Sequence, residues 1–277
     1  MLRNTIPDAA ESSAGDDFHI LWAIQKSLKL INFDPKGLKA VAIENLSQKD
    51  TSYLDTSRGM SLGVDITEYY GGNNFLDAEK IVVSQLKYST RNSDTEWTPA
   101  RICTSSKGGI DGSIIERLAS FYLKLSEQVD REIIVKKLKI KLVSNRPAAQ
   151  KLLTLIDAIK EYLTLHYQQN IDLTQLYTIL NPKQQSELTR LVCASKLTGS
   201  RFVDFINILD FSDCSVDSRF ELEQKIITTI ASITSFRTSL EHAQLHKLIW
   251  GKRQQIPSLY PMYYMLLDYM IYQRYFQ

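Results

Sequence analysis

The stretch Val64–Ser89, VDITEYYGGNNFLDAEKIVVSQLKYS, constrains this chain most, because it plants polar groups on two neighbouring strands. From Lys80 to Tyr88 alternate side chains fall on opposite faces of an extended strand. Ile81, Val83, Gln85 and Lys87 share one face, and Val82, Ser84, Leu86 and Tyr88 the other. Two apolar residues thus lead into an amide and an amine. Upstream, Ser61–Tyr69 reads as the partner strand, with Asp65 on the face opposite Val64 and Ile66, and Gly71-Gly72-Asn73-Asn74 supplies the turn residues. The hairpin therefore sets an acid across from Gln-x-Lys.

Such a group suits a hard divalent cation. Mg2+ takes oxygen ligands in octahedral geometry and keeps several waters, so one or two carboxylates with an amide or a main-chain carbonyl are enough. Asp65 is the expected carboxylate ligand, with the Gln85 side-chain oxygen and the Leu86 backbone carbonyl as neutral ones, for Mg2+ (or Mn2+). Lys87 is placed to orient or deprotonate a water and to stabilise charge building on a phosphate. Glu44, at the end of a short strand predicted over Leu38–Glu44, restores the negative charge that Gln85 lacks, which completes the expected catalytic set of Asp65, Gln85, Lys87 and Glu44.

Along the chain, residues 1–14 read as a flexible start, and Ser12–Asp17 as a loop running into capping acids. Phe18, Leu21, Trp22, Ile24, Leu28 and Ile31 then recur at helical spacing until Asp34-Pro35-Lys36-Gly37 breaks the pattern. In the following strand Leu38, Ala40, Ala42 and Glu44 are expected on one face. Ser89–Gly109 is long for a structureless connection, which points to a binding loop or a concealed short helix. A helix over Asp111–Leu125 and a strand over Leu138–Val143, ended by Ser144-Asn145-Arg146-Pro147, complete an α/β order. After Ala148 helical patterns follow one another, with breaks at Asn170, Asn181-Pro182, Gly199, Cys214 and Gly251. The last segment, Tyr260–Phe276, is aromatic enough to need a cover.

Composition narrows the function classes. A chain of 277 residues, 44% hydrophobic, builds a real core, and its net charge of +2 leaves any nucleic-acid site to local clusters. Should the metal site described above act on DNA, Arg91, Lys107 and Arg146 are candidates for phosphate contacts. The run Arg131, Lys136, Lys137, Lys139 and Lys141 reads either as a solvated face or as further contacts. Cys103, Cys193 and Cys214 lie far apart, against a disulfide scaffold or zinc knuckle. Met1–Gly15 lacks the apolar core of a signal peptide, and Met262–Tyr272, interrupted by Asp268, falls short of the roughly 20 residues of a spanning helix, so a cytoplasmic protein without membrane contact is expected. His242 and His246 stand four apart without H-E-x-x-H and read as surface or packing residues, as does His19. No G-x-S-x-G elbow and no G-x-x-x-x-G-K-[ST] loop occurs.

With these residues in view, Asp65 followed by Gln85-Leu86-Lys87 at the end of an apolar strand resembles the PD-(D/E)XK nuclease signature in its variant with Gln for the second acid. More narrowly, the chain is similar to the double-stranded DNA endonuclease effector domains of bacterial antiphage systems, joined to second-messenger sensors or STAND-type NTPases. Supporting residues are Gly15, Phe18-x-x-x-Trp22, Glu44, Val64-Asp65-Ile66, Val83–Ser89, Trp97-Thr98 and Leu142–Pro147. The resemblance implies a restriction-endonuclease-like mixed sheet flanked by helices over about 15–150, followed by an all-α regulatory or oligomerisation region over 151–277. It also implies Mg2+-dependent, sequence-nonspecific cutting of double-stranded DNA, activated by assembly into a homo-oligomer. A sensor or NTPase would lie beyond Gln277 or on a separate protein. The alternative is a catalytically decayed DNA-binding or protein-interaction module.

Overall fold

Strand β3 (Lys80–Lys87) is central to the sheet, and every residue from Ile81 to Leu86 is buried, as a strand covered on both faces requires. The computed structural model describes residues 9–31, 34, 36–54, 63–105, 112–166, 169–233 and 247. Within them the sheet order is β1 (Leu38–Ile43), β2 (Ile66–Tyr70), β3, β4 (Leu138–Ser144) and β5 (Leu209–Asp210). The first three strands are antiparallel, whereas β3, β4 and β5 run parallel. The fold is therefore α/β, a five-stranded mixed sheet flanked by helices.

The β2–β3 connection is closed by local chemistry. Gly71 has φ +77, a left-handed conformation, and a Cβ on Gly72 would lie 2.5 Å from the Asp77 carbonyl carbon. Glycine is required at both places. Asn74 Oδ1 accepts the Leu76 and Asp77 amides, and the Glu79 amide returns to the Tyr70 carbonyl at 2.9 Å.

Between β1 and β2 lies the short α2 (Gln48–Tyr53), and the crossover that a parallel β3–β4 pair needs passes through the short α3 (Pro99–Ile102), α4 (Ile114–Ser126) and α5 (Arg131–Lys137). A reciprocal Ser113–Glu116 capping box starts α4. Its buried Ile114, Ile115, Leu118, Phe121, Tyr122 and Leu125 recur at helical spacing against Ala40, Ala42, Tyr69, Ile81, Val83 and Ile140 of the sheet. Across the sheet, α1 (Ala9–Leu28) lays Phe18, Leu21, Ile24 and Leu28 over Val41, Ile66, Leu86 and Val143. There it meets Leu222, Ile226 and Ile230 of the C-terminal helix, Arg219–Ile233.

Several expectations are corrected. Helix α1 begins at Ala9, so residues 9–14 and the Ser12–Asp17 stretch read as a loop are helical. A bulge between Leu38 and Ala40 turns Leu38 toward the α1 side while Ala40 and Ala42 pack beneath α4, so they do not share a face. The Ser89–Gly109 segment contains α3. Helices α6 (Gln150–Leu165), α7 (Leu173–Thr178), α8 (Pro182–Ser195) and α9 (Gly199–Ile208) pack into the same core as α4, and α9 runs straight into β5, a strand in the stretch expected to be all-α. The helix Arg219–Ile233, hereafter α10, completes the described part of this half. Tyr260–Phe276, His242 and His246 lie outside the described residues. Among the described residues no helix is long and apolar enough to cross a membrane.

Candidate active site

Register fixes the neighbours of Asp65. Ile66 lies opposite Ser84 in the last rung of the antiparallel β2–β3 ladder, and one residue before β2, at a bend rather than on the strand expected to run from Ser61, comes Asp65. Its amide donates to the Ser84 carbonyl at 2.9 Å, and its carboxylate Oδ2 accepts the Leu86 amide at 2.6 Å. On the other side the Glu44 amide donates to the Asp65 carbonyl at 2.7 Å. Glu44, Asp65 and the Ser84–Leu86 backbone are thus tied together across three adjacent chain segments. Glu44 has φ 62, a left-handed conformation that takes its side chain out of the β1 alternation. In an extended strand the N–H and C=O of one residue leave on the same edge, so the Leu86 carbonyl also faces Asp65. Lys87, half-buried, ends β3 opposite Ser144 of β4.

Gln85 carries the least comfortable polar atom of this group. Its side chain is 2% exposed, and its Oε1 is buried without a hydrogen-bond partner. Its β4 neighbour, Leu142, has no side-chain donor to offer. A buried acceptor left unpaired costs about 1–3 kcal/mol. A hard cation beside the Asp65 carboxylate would satisfy it, and an oxygen-only set of carboxylate, amide and backbone carbonyl fits Mg2+ or Mn2+. Among the described residues no three His, Cys, Asp or Glu side chains group as a metal site; the set proposed from sequence draws on an amide and a backbone oxygen instead.

The residues around this strand end converge on it. Tyr88 stacks on Phe18 of α1 at 5.0 Å between ring centroids. The Asn145 side chain clamps Ser89, accepting its amide at 3.0 Å and donating to its carbonyl at 2.8 Å. Trp97 is held by its amide to the Pro147 carbonyl at 2.7 Å and by its carbonyl to the Ala149 amide at 3.0 Å. Arg146 lies over the Trp97 ring, 4.0 Å from the centroid.

The basic residues divide. Arg91 is exposed just beyond the Ser89 clamp, and Lys107 lies outside the described residues. Arg131 is paired with Asp204 of α9, Lys141 with Asp213 at 2.9 Å, and the Lys137 ammonium donates to the Leu76 carbonyl at 2.9 Å. These three are internal struts, and Arg131, Lys136 and Lys137 belong to helix α5. Burial pushes the Cys103 and Cys214 thiols up to about 12, which leaves them unreactive.

Sequence reasoning missed a second polar cluster on the opposite face. Glu68 is 1% exposed, 3.1 Å from the Lys26 ammonium, and accepts the Tyr70 hydroxyl at 2.7 Å. Burial, followed by the Glu68 charge, raises the Tyr70 pKa well beyond the usual phenol range. The signal was present: Glu68 alternates with Ile66 and Tyr70, and Lys26 falls one helical turn after Trp22 on an otherwise apolar stripe. No protein-family model matches this chain, and no curated protein matches it in sequence.

Proposed function

We propose that the chain is a metal-dependent, sequence-nonspecific endonuclease of double-stranded DNA, with a restriction-endonuclease-like unit over about 15–150 and a regulatory or oligomerisation region over 151–277. The observation that carries this reading is the unpartnered, buried Gln85 Oε1, one residue before the Leu86 amide that the Asp65 carboxylate accepts. Asp65, Gln85 and the Leu86 carbonyl would hold Mg2+ or Mn2+, with Glu44 adding charge. A bound divalent ion supplies a water of lowered pKa and neutralises charge on the phosphate. Lys87, on the same face as Gln85, would orient that water as an ammonium, or accept its proton as the neutral amine, and in either case would present an ammonium to the charge that develops in the transition state. Leu86 and its neighbours keep the far side of β3 dry, which strengthens these interactions.

One such centre cuts one strand, so a double-strand break calls for two copies, and an antiphage effector switched on by assembly, through a sensor or NTPase, accords with that need. The rival is a decayed module in which Asp65 serves only to clasp the Leu86 amide. The test is plasmid cleavage with Mg2+ or Mn2+ by wild type, Asp65→Ala and Lys87→Ala, alongside Mn2+ binding followed by electron paramagnetic resonance. Wild-type cutting that both variants lose supports the enzyme; equal nicking by all three sinks it; Mn2+ bound no better by wild type than by Asp65→Ala favours the decayed module.

A further inference from the structure

Arg146 follows β4 by two residues and places its guanidinium over the Trp97 indole, 4.0 Å from the ring centroid. Its Nε donates to the Thr95 carbonyl at 2.5 Å. Its Nη2 is buried without a partner, and so is the Trp97 indole Nε1–H. Guanidinium and indole nitrogens only donate, so two donors stand together with no acceptor. Among the described residues no carboxylate pairs with Arg146. The charged neighbour that acts on it is another cation, Arg101 of α3, and burial together with that repulsion lowers its pKa. A cation desolvated beside a second cation is costly unless an anion joins them.

Both supports of this pair are rigid. Trp97 is bonded through its backbone to residues on either side of Ala148, and Asn145 holds Ser89 by two hydrogen bonds. Because Lys87 lies opposite Ser144 in the parallel register, Arg146 sits at the same end of the sheet as Asp65, Gln85 and Lys87. Arg146 and Trp97 are each half-buried, so an anion can meet the exposed part of the stack, and a side-chain rotation within the fixed backbone would turn the buried, unpaired donors to it. A tetrahedral oxyanion, with several acceptor oxygens, complements a guanidinium fork better than a single acceptor does.

We propose that Arg146 and Trp97, with Arg101 beside them, form a seat for a backbone phosphate of duplex DNA flanking the scissile bond. It rests on the nuclease reading for its ligand. A phosphate seat fixes the duplex in place without reading its bases, which matches cutting without sequence preference. Arg146 is thus a positioning residue built into a stack, in contrast to an exposed surface cation such as Arg91.

Binding of a short labelled duplex, followed by anisotropy in EDTA across a salt series, separates the seat from catalysis. Arg146→Gln is expected to weaken binding about tenfold or more at low salt and to lower the salt slope by about one. Trp97→Phe keeps a stacking ring but removes the N–H, and is expected to weaken binding several-fold with the slope unchanged. A folded Arg146→Gln protein with wild-type affinity and slope would falsify the seat. If that variant does not fold, the Trp97 indole 1H–15N cross-peak of the wild type, identified by its loss in Trp97→Phe, decides. A shift that saturates with duplex supports the seat. No shift with duplex, or a shift with inorganic phosphate alone, overturns it. Cleavage that persists with unaltered Arg146→Gln binding removes the seat and leaves the nuclease; Arg146-dependent binding without cleavage in Mg2+ does the reverse.

Discussion

Asp65 and Glu68 stand three residues apart, Asp65 at the bend before β2 and Glu68 on the α1 face of that strand, and have opposite surroundings. Glu68 is closed in: Lys26 neutralises it at 3.1 Å and Tyr70 donates to it at 2.7 Å. Asp65 is half-buried and takes the backbone amide of Leu86, next in the chain to Gln85, whose amide oxygen is buried without a partner. A buried acid whose needs are met inside the chain is a structural element. An acid beside an unmet acceptor leaves a need that only something from outside can meet. Substitutions on the two faces should therefore fail in different ways.

The largest effect is expected on the closed face. Lys26→Met removes the ammonium and leaves Glu68 as an uncompensated buried charge, a loss of about 3–5 kcal/mol. Urea unfolding measures it, and the Mn2+ affinity of the folded fraction should remain that of the wild type. A variant losing under 1 kcal/mol would show that Glu68 finds other partners and that the contrast between the faces is overstated.

Next comes Lys87→Ala, where the loss should appear in rate. Removal of one group that stabilises transition-state charge costs on the order of 10²–10³ in turnover, with stability changed little because Lys87 ends its strand at the half-buried edge. Supercoiled-plasmid cleavage rates and a melting curve on the same preparation read both quantities. Equal losses of rate and stability would make Lys87 a structural residue and erase the distinction from Lys26.

Gln85→Leu sharpens the comparison in the other direction. Leucine fits the apolar environment beside Leu142 and removes the unpartnered oxygen, so the metal-free protein should gain about 1 kcal/mol while metal affinity falls. Gain of stability with loss of function is the signature of a binding site kept against the interest of the fold. A destabilised variant would mean that Gln85 is satisfied in solution.

How much of this was readable from sequence depends on whether a feature is local. Strand β3 was legible over Lys80–Lys87 because alternation and an apolar run coincide there, and the hairpin followed, which brought Asp65 to the Ser84 carbonyl and the Leu86 amide, though at a bend and not on a strand running from Ser61. The bulge at Leu38/Ala40 was not, since it exists only in the pairing with β2. Two-residue β5 has no pattern of its own and is a strand because β4 offers it an edge. The polar Ser12–Asp17 stretch reads as a loop by composition, yet continues α1. For Glu68 the face was legible and the partner was not: Lys26 arrives from a helix 42 residues earlier, through packing alone.

The smallest effect tests that hidden partner through pH. Burial first, then the Glu68 charge and its hydrogen bond, raises the Tyr70 pKa above the ordinary phenol value. The unfolded phenol loses its proton near pH 10, whereas the folded one keeps it. The unfolded state therefore binds fewer protons in the interval between the two pKa values. Tyr70 contributes its full stabilisation below about pH 10, and the contribution is lost as pH rises through that interval. Solvent at the exposed edge of the ring screens part of the effect, leaving about 1 kcal/mol near pH 11. Tyr69 and Tyr122 are raised as well, so the wild type alone cannot isolate Tyr70. Urea unfolding at pH 9 and 11 with Tyr70→Phe does, because the other two phenols act equally in both proteins. The variant should start less stable, having lost the hydroxyl to Glu68, and decline less steeply. Parallel declines would mean that the Tyr70 hydroxyl reaches water, so that the α1 face is open at Glu68 and the two acids of this hairpin differ less than their geometry says.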